Sequence, residues 1–146
     1  MEHLKVRGLE YIDVGCDSTD IVRYPYYAAQ VAGAISKGEA DRGILICSTG
    51  IGMSVFANRF KGIRASLCTD TFMAKMTRAH NDSNVLCLGG KVIGELEALD
   101  ILDAWLDTEY EGGRHAISLG LIEEAEDKLC CSQAPSQEQL FRELNR

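Results

Sequence analysis

The sequence predicts an α/β fold, a Rossmann-like parallel sheet sandwiched between helices. Short, apolar, strand-like runs alternate with segments of helical spacing along most of the chain. The run at 43–47 (Gly-Ile-Leu-Ile-Cys) is apolar throughout, as a strand covered on both faces must be. A length of 146 residues is that of one compact domain, with close to average hydrophobic (46%) and charged (25%) content.

Each element has its own local reason. Residues 9–14 (Leu-Glu-Tyr-Ile-Asp-Val) and 43–47 read as strands, as do 63–68 and 84–88, the last closed by Gly89 and Gly90. Helical spacing covers 25–36, stopped by Gly38, then 53–59, 71–79 and 95–106. In the last of these, Leu96, Leu99, Leu102 and Leu106 form one stripe, and with Trp105 they read as a core face rather than a cofactor box. A final helix at 114–131 completes a domain spanning 1–131. Residues 132–146 form a polar tail with a short amphipathic helix bearing Leu140, Phe141 and Leu144, for which Ser136 and Gln139 make a capping box. At the opposite end, residues 1–8 read as two helical turns closed by Gly8, an opening that implies a further segment upstream.

Fifteen Lys and Arg against 22 Asp and Glu give a net charge of -7, a field that repels polyanions and argues against a nucleic-acid partner. No apolar run approaches the roughly 20 residues that span a bilayer, and the N-terminus lacks a secretory core, so no membrane partner and a cytoplasmic location are expected. Of six cysteines, several sit in apolar runs where a thiol packs as a small hydrophobe. None has C-x-x-C spacing, and the adjacent Cys130 and Cys131 are poorly placed for an ordinary disulfide. Reduced thiols and no metal are the expectation.

The strongest chemical signal is the stretch from Ile44 to Ser54, where a buried strand enters a glycine-containing turn and then a helix. Backbone N–H groups converge at such a junction, so it is either an anion site or a plain tight turn. It is neither a Walker A loop nor G-x-G-x-x-G. Cys47 ends the strand at the carboxyl edge, where open α/β sheets keep their ligands; it is either a packing thiol or a proton-abstracting base. His80 opens a polar loop before a strand, suited to acid–base work or to a helix C-terminus beside Arg78. Arg114, after Gly112 and Gly113, either forks onto a phosphate or starts a solvated helix, and His115 has no assigned role.

Together, residues 38–47, 49–54, Ala57-Asn58, 62–65, His80-Asn81-Asp82 and 109–115 resemble the ribose 5-phosphate isomerase B family, which includes galactose 6-phosphate isomerase subunits. Tyr24-Pro25 with Tyr27-Ala28 extends the likeness, which runs in order from about Val6 to about Glu124. The resemblance implies an aldose–ketose isomerase, most simply of ribose 5-phosphate and ribulose 5-phosphate, working through an enediolate. It implies Cys47 as base, Thr49 and His80 in ring opening, and the turn of Ser48, Gly50, Ile51 and Gly52 around the enediolate. Asn81 would touch the sugar, Arg114 the phosphate, and Tyr24 the pocket wall. No cofactor or metal is implied. A homodimer or tetramer is, with sites shared between subunits and His80 and Arg114 reaching the partner's site.

The chain departs from the family pattern at three places. The usual opening strand, which ends in an Asp-His pair and lies mid-sheet, is missing before residue 1; Lys91 stands where an arginine often follows the Gly-Gly pair; and Ser118 replaces a second phosphate arginine. These departures support an alternative, a catalytically impaired sugar-phosphate-binding protein or one subunit of a hetero-oligomer.

Overall fold

The structure, a computed structural model, describes residues 1–130, with side chains through Lys128. Helices α1 (Glu2–Val6) and α2 (Tyr24–Ser36) precede β1 (Gly43–Cys47), α3 (Ile51–Ala57), β2 (Ala65–Leu67), α4 (Thr71–Asn81), β3 (Val85–Gly89), α5 (Glu95–Asp107) and α6 (Arg114–Cys130). The three strands are parallel in the order β1-β3-β2, with Gly43 opposite Val85, Cys47 opposite Gly89 and Ala65 opposite Val85.

Strand alternation splits the interior into two layers. Val85 and Cys87 of the central strand face Ala28, Ala32, Met53 and Ala57 of α2 and α3. Leu86 and Leu88 face the other way, toward Ala74 of α4 and Ile101, Leu102 and Trp105 of α5. Every residue of β3 is buried, as expected of a middle strand covered on both sides. The sequence-based α/β reading is therefore realised, and the helices begin or end within about two residues of the expected positions.

Two expectations fail. Residues 9–14 form no strand, and Leu9, Tyr11 and Ile12 are exposed. Apolar alternation is not enough for a strand without a ladder partner, and β1 pairs only with β3 among the described residues. The expected core face of α5 is realised at Leu102, Leu106 and Trp105 but fails at Leu96. Leu96 is 80% exposed, while Ala98, Ile101, Leu102 and Trp105 face inward. At about 100° per residue, Leu96 lies roughly 120° around the helix from Leu102, so the four leucines do not share one face. The expected tail helix with Ser136 and Gln139 lies outside the described residues.

Cys68 and Cys87 are free and buried, and burial pushes their thiols up to about 11 and about 12. Both behave as core hydrophobes rather than nucleophiles.

Helix α1 is closed by Gly8 at φ +69°, as the C-cap reading expects. Its attachment is electrostatic. His3 Nε2 lies 2.7 Å from Asp103 Oδ1, and Arg7 bridges Asp103 and Asp107 on α5. Burial alone raises the Asp103 carboxyl, but the hydrogen bonds to His3 and Arg7 outweigh it and hold the group below its ordinary value. A lowered carboxylate contributes stability at neutral pH that is lost as pH falls through its folded-state pKa. Asp103→Asn is therefore expected to melt below the native chain at pH 7, with the difference shrinking as pH falls below the ordinary carboxylate range in a Tm profile against pH.

Candidate active site

The connections place a crevice between two strands. From β1 the chain turns into α3 on one face of the sheet, whereas from the adjacent β3 it turns into α5 on the other. Diverging connections from neighbouring parallel strands open a cleft at their carboxyl ends, the position where open α/β sheets bind ligands. Cys47 ends β1 at this switch point and Gly89 ends β3 directly opposite.

The loops leaving the two strands are zipped together. Gly90 N donates to Cys47 O at 2.8 Å and Lys91 N to Ser48 O at 3.1 Å. Gly50 N donates to Cys47 Sγ at 3.2 Å, and Ile51 N makes a longer contact of 3.4 Å with Thr49 Oγ1. Gly50 holds φ +75°, and a β-carbon there would stand 2.5 Å from Leu67 Cδ1 and 3.0 Å from the Leu88 carbonyl carbon. Glycine is thus required both by conformation and by space. Gly50→Ala is expected to lower stability by about 1–3 kcal/mol and to shift the sulfur's N–H partner, seen as a lower urea midpoint together with a lower kcat.

Tyr24 enters the same site from the first turn of α2. Its ring tip lies over Gly52, where an added β-carbon would be 2.8 Å from Tyr24 Cζ and 3.1 Å from the hydroxyl. The structure therefore gathers Tyr24, Cys47, Ser48, Thr49, Gly50, Ile51, Gly52 and the backbone of Lys91 around one crevice.

His80, Asn81 and Arg114 are elsewhere. Helix α4 leaves the carboxyl end of β2 and runs back, so its last residues, His80 and Asn81, sit near the amino end of β3. The five-residue β1 puts roughly 13 Å between that end and Cys47. Asp82, in the left-handed region at φ 45°, makes the turn and receives Arg64 at 2.9 Å and Arg78 at 2.8 Å. Exposed Asn81 borders a groove of about 390 Å³ beside β2, with Phe72 and Met76. Glu111 N donates to Ala79 O at 3.0 Å, tying the loop before Arg114 to the end of α4.

Sequence reasoning passed over three side chains here. His115 stacks on His80 with ring centroids 4.1 Å apart, and Glu111 faces both rings. Asn58 holds β2 in place, donating to Ala65 O and accepting from Ala65 N, each at 2.8 Å. A histidine following a double-glycine turn was the only sequence signal for the first two.

Residues 1–122 match the family described as Ribose/Galactose Isomerase. The chain belongs to this family. Among members of the ribose/galactose isomerase family, ribose-5-phosphate isomerase B of Escherichia coli is 53% identical over 113 residues, 77% of this chain and 76% of that one. The solved ribose-5-phosphate isomerase B of Clostridium thermocellum superposes with a TM-score of 0.86 at 51% identity, covering 88% of this chain and 86% of its own. That of Mycoplasma genitalium, described with bound ribulose-5-phosphate, gives a TM-score of 0.84 at 37% identity, covering 86% and 84%. These are sugar-phosphate isomerases. Among the described residues no helix is long and apolar enough to cross a membrane.

Proposed function

We propose that this chain interconverts ribose 5-phosphate and ribulose 5-phosphate, with Cys47 as the base. The observation that carries the reading is Cys47 Sγ at the switch-point crevice, held by Gly50 N–H at 3.2 Å. The ribulose-5-phosphate described with the Mycoplasma genitalium relative supports a pentose.

On this reading Cys47 Sγ removes the proton from C2 of the open-chain aldose. The C2–H electron pair forms the C1–C2 double bond, and the aldehyde oxygen becomes an enediolate oxygen. Proton return at C1, together with transfer of the O2 hydroxyl proton to the enediolate oxygen on C1, gives the ketose. Nothing is oxidised or reduced overall, so the step needs no external redox cofactor. Backbone donors in the turn from Ser48 to Gly52 stabilise the enediolate because they are oriented before charge develops. Thr49, already in that turn, assists ring opening, and Tyr24 walls the pocket. Lys91 supplies a cation at its rim but not the bidentate fork of an arginine.

His80, Asn81 and Arg114 lie too far from Cys47 to serve the same site within one chain. We assign them to the site of a second copy, where His80 assists ring opening, Asn81 touches the sugar and Arg114 holds the phosphate. Exposed Phe72 and Met73 on α4, and Ile117 and Leu121 on α6, offer apolar surface for that association.

Solvent-deuterium exchange into the sugar tests the chemistry, and mixing inactive variants tests the sharing. Cys47→Ala and His80→Ala chains, each impaired alone, are expected to recover about a quarter of native activity after unfolding and refolding as an equimolar mixture, because half the dimers then carry one intact site. Absence of recovery from mixed dimers would place His80 in its own chain's site or outside the reaction.

A further inference from the structure

At the amino end of the sheet, two imidazoles and a carboxylate form a cluster that the proposed isomerisation uses only in part. The His80 and His115 rings are parallel within 10°, with centroids 4.1 Å apart. Glu111 Oε2 lies 3.9 Å from His80 Nε2 and 3.6 Å from His115 Nε2. One ligand atom from each residue lies within 4.8 Å of the other two.

The backbone pre-arranges this trio. Glu111 N is pinned to Ala79 O, one residue before His80. Gly112 and Gly113 then take φ of +63° and +57°, a reversal open mainly to glycine, and His115 N closes the turn on Gly112 O at 3.0 Å. His115 is thereby returned over His80 with Glu111 beside both.

We propose that His80, Glu111 and His115 form a binding site for a divalent transition metal of the zinc class. Two imidazole nitrogens and one carboxylate oxygen are a ligand set zinc uses, with further positions left to water. Hard cations such as Mg²⁺ and Ca²⁺ take mainly oxygen ligands and fit this set poorly. Bonds of about 2.0–2.1 Å place the ligand atoms of a tetrahedral ion roughly 3.4 Å apart, so both Glu111 contacts need close by no more than about half an ångström. The rings must also tilt out of their stack to direct both lone pairs to one point. Exposure of Glu111 and partial exposure of His80 leave room for that movement.

Metal binding here removes His80 from ring opening and so inhibits turnover, a consequence that rests on the isomerase reading above. The binding itself does not.

The test is calorimetric titration of the full chain with Zn²⁺ alone in a non-chelating buffer. Binding is expected to weaken at least roughly tenfold in His115→Ala and in the surface variant Glu111→Gln, and to stay unchanged in Cys47→Ala. The proposal falls if native protein takes up no Zn²⁺, if both variants bind as the native chain does, or if Cys47→Ala alone abolishes uptake, which would put the ion on the thiol. Turnover measured on the same samples separates the two readings. An inert protein with Zn²⁺ uptake dependent on His115 and Glu111 would overturn the isomerase and keep the metal site. An active one without such uptake would do the reverse.

Discussion

Cys47→Ala is expected to lower the rate of isomerisation by about a hundred- to ten-thousandfold, the range associated with losing a positioned general base. Proton NMR in D2O reads this directly. Native chain incubated with ribose 5-phosphate should introduce deuterium at C1 or C2 as ribulose 5-phosphate accumulates, whereas Cys47→Ala should leave the carbon-bound protons in place. The fold should survive, because Cys47 is only partly buried at a strand end and the zipped contacts of Gly90 N and Lys91 N use main-chain oxygens of residues 47 and 48. Cys68 and Cys87 cannot take over the role. Burial raises both thiols, to about 11 and about 12, and their side chains lie in the core. Cys68→Ala should therefore change stability more than chemistry. Undiminished exchange in a folded Cys47→Ala protein would remove the thiol from the mechanism, even if the sugar still turned over.

The carboxyl-edge half of the site was legible in the sequence because all its information is local. An apolar strand, a glycine that only a left-handed turn requires, and a short helix occur consecutively from Gly43 to Ala57, so spacing alone placed Cys47 against its turn. Tyr24 needed the resemblance, since its contact with Gly52 crosses 28 residues of chain and depends on how α2 packs against α3. The trio at the other end was not readable at all from periodicity. Glu111 and His115 meet His80 only because Glu111 N binds Ala79 O and two glycines reverse the chain. For the fold, helices declared themselves by period and cap. Residues 9–14 show the limit: their apolar alternation satisfies a strand's side-chain rule, but strand formation depends on a neighbour's backbone that a local window does not contain. Leu96 on α5 misses the core for a different reason. Spacing finds Leu102, Leu106 and Trp105, but that Ala98 and Ile101 rather than Leu96 complete the face depends on the angle at which the helix meets the sheet.

Trp105→Ala is expected to be the most destabilising single change in the described core, by about 3–5 kcal/mol. The indole is fully buried beside Leu86 and Ile101, so truncation leaves a large cavity in a layer that cannot easily collapse between sheet and helix. Its Nε1–H donates to Ser83 Oγ at 2.7 Å, and Ser83 is itself fully buried, so the serine also loses its donor where water has poor access. The guanidinium carbons of Arg42 and Arg78 stand 5.4 Å and 5.8 Å from the ring centroid. Removing the ring withdraws a cation–π partner from Arg78, whose side chain is nearly buried and anchors Ser83 O and Asp82. Trp105→Phe separates the contributions: it keeps much of the volume but loses the N–H, and should cost less than the alanine variant. Urea denaturation of the three proteins checks the order. Because residues 82–84 connect α4 to β3, loosening them should also disturb His80. Partial loss of turnover in the folded Trp105→Phe protein, with the Cys47 turn untouched, would show that the far end of the sheet takes part in the reaction. A Trp105→Ala loss below about 1 kcal/mol would mean that this layer repacks freely, contrary to the close packing expected around a fully buried ring.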